Sequence, residues 1–163
     1  MSRLFSRTMN EIQIHYVILI LDWGFVSDDI ANEIILRDCS FILPQCRNSN
    51  YFKTRVYLND TFRYHTRLIH CGKRVVEDKF LYLFEDEDLK LEERKTLFDK
   101  IEKGSITKDE AKTWEKLAGR ILFLSNVNKT SLEIYELCHE NRYDAERPQA
   151  YRMKLPRRFH IKF

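Results

Sequence analysis

The sequence predicts an α+β domain: a mostly antiparallel sheet, made of an N-terminal strand plus a three-stranded meander, covered by about four helices and followed by an extended C-terminal tail. Three observations carry this. Residues 12–21 form a short, nearly continuous apolar run, and residues 51–84 alternate in the manner of strands. From Glu85 onward the apolar spacing turns helical, with capping signals at the breaks. Only four glycines and three prolines occur in 163 residues, which leaves little room for flexible linkers. The expected organisation is one domain over residues 1–163, with 1–10 as a flexible N-terminus and 146–163 as an extended basic arm.

Along the chain, "EIQIHYVILILDW" reads as a strand covered on both faces, broken only at Gln13 and His15. Ser27 with Asp28 and Asp29 starts a short helix, and Ile30, Ile34 and Ile35 share one of its faces. "FILPQCRNSN" suits a brief extended piece followed by a loop. The spacing then predicts a hairpin of strands 51–58 and 62–70 around Asn59-Asp60, and a third strand after Gly72-Lys73. Leu91, Phe98 and Ile101 mark the buried face of one helix. Ala111, Trp114, Leu117, Ala118, Ile121 and Leu122 mark that of a second. Thr130-x-x-Glu133 is a capping box opening a third. Pro148 and Pro156 break the remainder, where Phe159, Ile161 and Phe163 alternate as a half-buried strand does. This arm is expected to pair with the protein's own sheet rather than with a partner's sheet edge.

The order helix–strand–strand–strand–helix over residues 27–103 resembles, in topology only, the double-stranded RNA-binding domain. Glu85-Asp86-Glu87-Asp88 stands where that family carries its basic cluster.

Cys39, Cys46, Cys71 and Cys138 lack paired short spacings, so reduced thiols are expected. The sequons at Asn59 and Asn128 then carry no sugar. "MSRLFSRTMN" has two arginines and no acid, the composition that opens a mitochondrial transit peptide, but it runs directly into the first strand. The expectation is a cytoplasmic or nuclear protein, mitochondrial as the lesser option, with no membrane span because the apolar run is too short.

The motif nearest to named chemistry is "FDKIEKGSITKDE". Counted from Asp99, it has an acid at position 1, Gly104 at 6, Ile106 at 8 and Glu110 at 12, the frame of an EF-hand loop. Positions 3 and 5, which should offer oxygens, are Ile101 and Lys103. The same letters describe a helix stop at Gly104 and a capping box at Thr107-x-x-Glu110, so no calcium is expected. His70-Cys71 and Cys138-His139 hold zinc-type atoms, yet sequence neighbours diverge on strands and helices, so no metal site is assigned. The acidic run 85–88 suits a solvated helix start better than a magnesium site. No G-x-S-x-G, H-E-x-x-H or glycine-rich phosphate loop occurs. A Cys/His enzyme is the third-ranked reading; no catalytic residue and no cofactor are assigned.

Charge points elsewhere. Residues 45–79 hold eight Lys or Arg against three acids, and residues 142–163 hold seven against two. In the expected hairpin, Lys53, Arg55 and Tyr57 share one face, and Arg63, His65 and Arg67 share a face of the next strand. Arg157 and Arg158 extend this charge into the tail. The expected function is a non-enzymatic macromolecule-binding protein, an adaptor or complex subunit with protein partners. The alternative is a nucleic-acid-binding factor, RNA more than DNA, that uses these eight residues.

Overall fold

The computed structural model describes residues 18–21, 34, 39–146 and 160–162. Their elements are β1 (Ile18–Ile20), β2 (Ser40–Pro44), α1 (Asn50–Lys53), β3 (Asp60–Tyr64), β4 (Arg67–Val76) and β5 (Lys79–Asp86). There follow α2 (Glu87–Glu102), α3 (Lys108–Glu115), β6 (Arg120–Ser125), α4 (Ser131–Glu146) and β7 (His160–Lys162). The architecture is α+β with mixed strand pairing. Two compact units divide the chain: residues 1–44, 77–80 and 124–163 in one, residues 45–76 and 81–123 in the other.

In the first unit the strand order is β2-β1-β7. β1 runs parallel to β2, with Leu19 opposite Phe41, and antiparallel to β7, with Leu19 opposite Ile161. The C-terminal arm therefore pairs with the protein's own sheet at 160–162. Leu19, Leu21, Phe41, Ile42, Leu43 and Leu124 are buried, as the continuous apolar runs predict, each burial contributing about 2 kcal/mol. Ile34 is helical and fully buried; the rest of the expected 27–38 helix lies outside the described residues. Two polar side chains at the end of β6 hold the main chain next to and within β2. Ser125 Oγ donates to Phe41 O at 2.6 Å, and Asn126 accepts from Phe41 N while donating to Cys39 O, both at 2.9 Å. The Thr130 capping box forms in full, with Glu133 accepting from the Thr130 N–H and hydroxyl and Thr130 Oγ1 accepting from Glu133 N.

In the second unit the strand order is β3-β4-β5-β6. The meander exists, but its first strand is not where the alternation predicts. Residues 50–53 form a single helical turn, 54–59 form no strand, and β3 begins at Asp60. The hairpin turn is His65-Thr66, not Asn59-Asp60: Tyr64 pairs with Arg67, Phe62 with Ile69 and Asp60 with Cys71. His65 takes the positive φ of 53° that the first residue of a tight two-residue loop adopts. Ile69, Cys71, Leu81, Phe84, Leu122 and Phe123 are buried, and Phe84 meets Phe62 and Phe123 edge-on at 6.3 and 6.0 Å.

The αα-turn is as the sequence predicts. Gly104, at φ 67°, donates to Ile101 O, and Ser105 N donates to Lys100 O, a Schellman closure of α2. Thr107 and Glu110 form the capping box that starts α3. Two helical expectations fail. α3 stops at Glu115, and the stripe members Ile121 and Leu122 belong to β6 instead, because Gly119 at φ 74° turns the chain. Leu91 and Phe98 do not face a core: α2 buries no residue, and these two are 56% and 63% exposed. The acidic run does start α2, with Asp86 as its N-cap and Glu87 and Asp88 in its first turn, but only its second half is solvated. Glu85 and Asp86 end β5 and are buried.

Candidate nucleic-acid interface

Cations on a strand-rich surface are first tested by their partners, because a guanidinium already committed to a carboxylate offers little to a phosphate. Arg67 is committed. Its Nη1 lies 2.9 Å from Asp86 Oδ2, off the N–H axis, so the contact is Coulombic rather than a directed hydrogen bond. Its Nε lies 3.8 Å from Asp88. Asp86 is almost wholly buried, and its other oxygen accepts from Asp88 N and Leu89 N to cap α2. Pairing also sets Arg67 and Arg63 on opposite faces. Arg67 shares its face with Tyr64 and Ile69, whereas Arg63 shares one with Thr61, Leu68 and His70. The expected single basic row is thus split by the shifted turn.

A second set of cations is committed beside it. Arg47 bonds Glu93 at 2.8 Å and Arg120 O at 3.1 and 3.2 Å, and Glu93 also accepts from Gly119 N. Glu85 receives Lys90 at 2.6 Å and Arg120 at 2.7 Å. Burial pushes the Glu85 carboxyl up, but the Lys90 and Arg120 hydrogen bonds outweigh it and hold the group below its ordinary value. The same Glu85 bond raises Lys90. These charges are mutually satisfied and fasten α2 to the strand ends.

Lys53, Arg55, Arg63 and Arg74 differ: among the described residues none has a carboxylate partner, and Lys53, Arg55, Arg63 and Arg74 are all exposed. Two of the expected residues, Arg55 and Tyr57, come together with one that the hairpin argument left out, Arg74. The Arg55 guanidinium carbon sits 4.6 Å from the centre of the Tyr57 ring, a cation–π contact. Arg74 Nη1 donates to Arg55 O at 2.7 Å. Tyr57 is 63% exposed. Beside Arg74, Lys73 places its ammonium 5.2 Å from the Tyr82 ring centre. Lys53 lies two residues before Arg55, at the end of α1.

Gly72 makes this arrangement possible. A Cβ there would stand 1.9 Å from Tyr57 O, so only glycine lets the 54–59 segment lie against β4. Asn59 N donates to Cys71 O at 3.1 Å, continuing the contact. Arg74 was visible in the sequence as part of the basic excess. What hid its pairing with Arg55 was the assumption that 51–58 is a regular strand.

The other expected residues fall elsewhere. His65 occupies the hairpin turn with its ring 4.5 Å from that of Tyr64. Arg157 and Arg158 lie outside the described residues. The histidine–cysteine neighbours diverge as strand geometry requires: Cys71 is buried, while His70 Nδ1 meets Thr61 Oγ1 at 3.0 Å and Nε2 lies 3.5 Å from Glu87. All four cysteines are free thiols. Among the described residues no group of three or more His, Cys, Asp or Glu side chains could hold a metal ion, and no helix is long and apolar enough to cross a membrane. Comparison with known proteins brings no match: no family model, no curated protein and no solved structure aligns with this chain.

Proposed function

We propose that the chain is a non-enzymatic macromolecule-binding protein and that the macromolecule is a nucleic acid, held on the surface formed by Arg55, Tyr57 and Arg74, with Lys53 two residues before Arg55. The observation that carries this reading is the pairing of the Arg55 guanidinium with the exposed Tyr57 ring on one short stretch of chain, with Arg74 bonded to the Arg55 carbonyl beside it. Arg55 and Arg74 have no carboxylate among the described residues to neutralise them, so their field is available to phosphates. Arg63 adds charge from β3. Arg67 is withdrawn from the set because Asp86 holds it.

Charge reversal tests the reading. Fluorescence anisotropy of labelled RNA and DNA, at low and at physiological salt, is compared for the parent and for Arg55→Glu/Arg74→Glu. The parent binds and weakens as salt rises, because bound phosphates release counterions. The double variant binds at least about tenfold more weakly at low salt. Equal binding by the two proteins contradicts the assignment.

A second reading has its own observation. Leu91 and Phe98, seven residues apart on one face of α2, are exposed, and so is Trp114 on α3 at 49%. An apolar face of this kind suits an adaptor or complex subunit that docks a protein partner. On that reading, partners recovered by the parent chain are lost by Leu91→Ser/Phe98→Ser.

A further inference from the structure

Resting on the nucleic-acid reading, we infer that Tyr57 is a stacking platform for an unpaired base, so that the ligand is a single strand rather than a duplex. Phosphate attraction alone needs no aromatic ring. Here Tyr57 stands out from its neighbours: Val56 and Leu58 on either side are half-buried, whereas Tyr57 is 63% exposed. Its main chain is held in place. The Tyr57 carbonyl lies against Gly72, and the Arg55 carbonyl beside it is bonded by Arg74 at 2.7 Å. A ring whose backbone is already fixed loses little freedom when a base covers it. Arg55 lies over the ring at 4.6 Å, where a guanidinium both polarises the aromatic face and reaches a neighbouring phosphate. Bases within a duplex are stacked on one another and present no free face to such a platform, whereas a splayed strand does.

The other exposed aromatics do not compete for this role. Phe98 and Trp114 belong to residues 85–115, which carry eleven acids against seven Lys or Arg, a surface that repels phosphate. Around Tyr57, by contrast, Lys53, Arg55 and Arg74 are exposed and have no carboxylate partner among the described residues.

The test uses the full chain and three probes: oligouridylate, oligothymidylate of the same length, and a duplex of the same length. Each is titrated against the parent, Tyr57→Phe and Tyr57→Leu, with thermal unfolding confirming that the exposed substitutions leave the fold intact. The expected result is tighter binding of the parent to single strands than to the duplex. Tyr57→Phe keeps that affinity, and Tyr57→Leu loses about five- to a hundredfold on single strands with little change on the duplex. Preference for oligouridylate over oligothymidylate, or the reverse, identifies RNA or DNA as the source of the strand, and either supports stacking. If Tyr57→Leu binds single strands as tightly as the parent, the stacking inference is overturned while nucleic-acid binding stands. If the parent binds none of the three probes, both are overturned.

Discussion

Asp86 shows how one side chain can decide which neighbours are free to act. Its Oδ1 caps α2 through two backbone N–H groups, at 3.0 and 3.1 Å, and its Oδ2 holds Arg67 at 2.9 Å. Asp86→Ala removes both and is expected to destabilise the protein by about 2 kcal/mol, read from urea unfolding midpoints. Asp86→Asn keeps an acceptor for the cap and should cost about half as much. Gly72 and Gly104 make a second contrast. Gly72→Ala drives a Cβ into the Tyr57 carbonyl and is expected to cost about 2 kcal/mol or more, with loss of the Arg55–Arg74 contact. Gly104 has open space around it, so Gly104→Ala meets only the penalty of a positive φ, about 1 kcal/mol. Gly72 is thus fixed by a close approach and Gly104 by backbone conformation.

At the level of elements, what was legible in the sequence was punctuation. Thr107-x-x-Glu110, Thr130-x-x-Glu133 and Gly104 each signal a local hydrogen-bond pattern that a handful of adjacent residues completes by themselves, and all three form as expected. The same locality gives a pH test. The Thr130 N–H and hydroxyl bonds to Glu133, with help from Lys129, lower its carboxyl to about 2 from an ordinary 4.5. A group lowered in the folded state stabilises it fully above the ordinary value and loses that effect as pH falls from about 4.5 towards 2. Circular dichroism melts of the parent and Glu133→Gln should therefore differ at neutral pH and converge in acid. A constant difference down to pH 2 would contradict the capping assignment. What was not legible was long-range. Residues 51–58 alternate as a strand does, yet helix α1 and the seat against Gly72 take them, because pairing of β3 with β4 fixes the turn at His65-Thr66. Likewise Ile121 and Leu122 match a helical stripe equally well, and the continuous apolar run after Gly119 was the clue to a buried strand.

Across the molecule, charge is divided between committed and uncommitted groups, and only the structure separates them. The sequence shows eight cations in residues 45–79, but it cannot show that Arg47, Arg67 and Lys79 each face a carboxylate. Of the proposed set, Arg55 and Arg74 carry the strongest claim. Replacing both with Gln should reduce the dependence of log affinity on log salt by about 1.4, at about 0.7 per phosphate contact on a single strand. Replacing Arg67 with Gln should lower stability and leave that slope unchanged, because its charge is spent on Asp86. The most direct measurement of the central claim is photo-cross-linking of a 4-thiouridine-labelled single strand to the full chain, followed by peptide mapping. The account predicts cross-links in the peptides holding residues 53–57 and 73–75, with Tyr57 foremost. Cross-links confined to the α2–α3 surface around Phe98 and Trp114, or none at all, would contradict it.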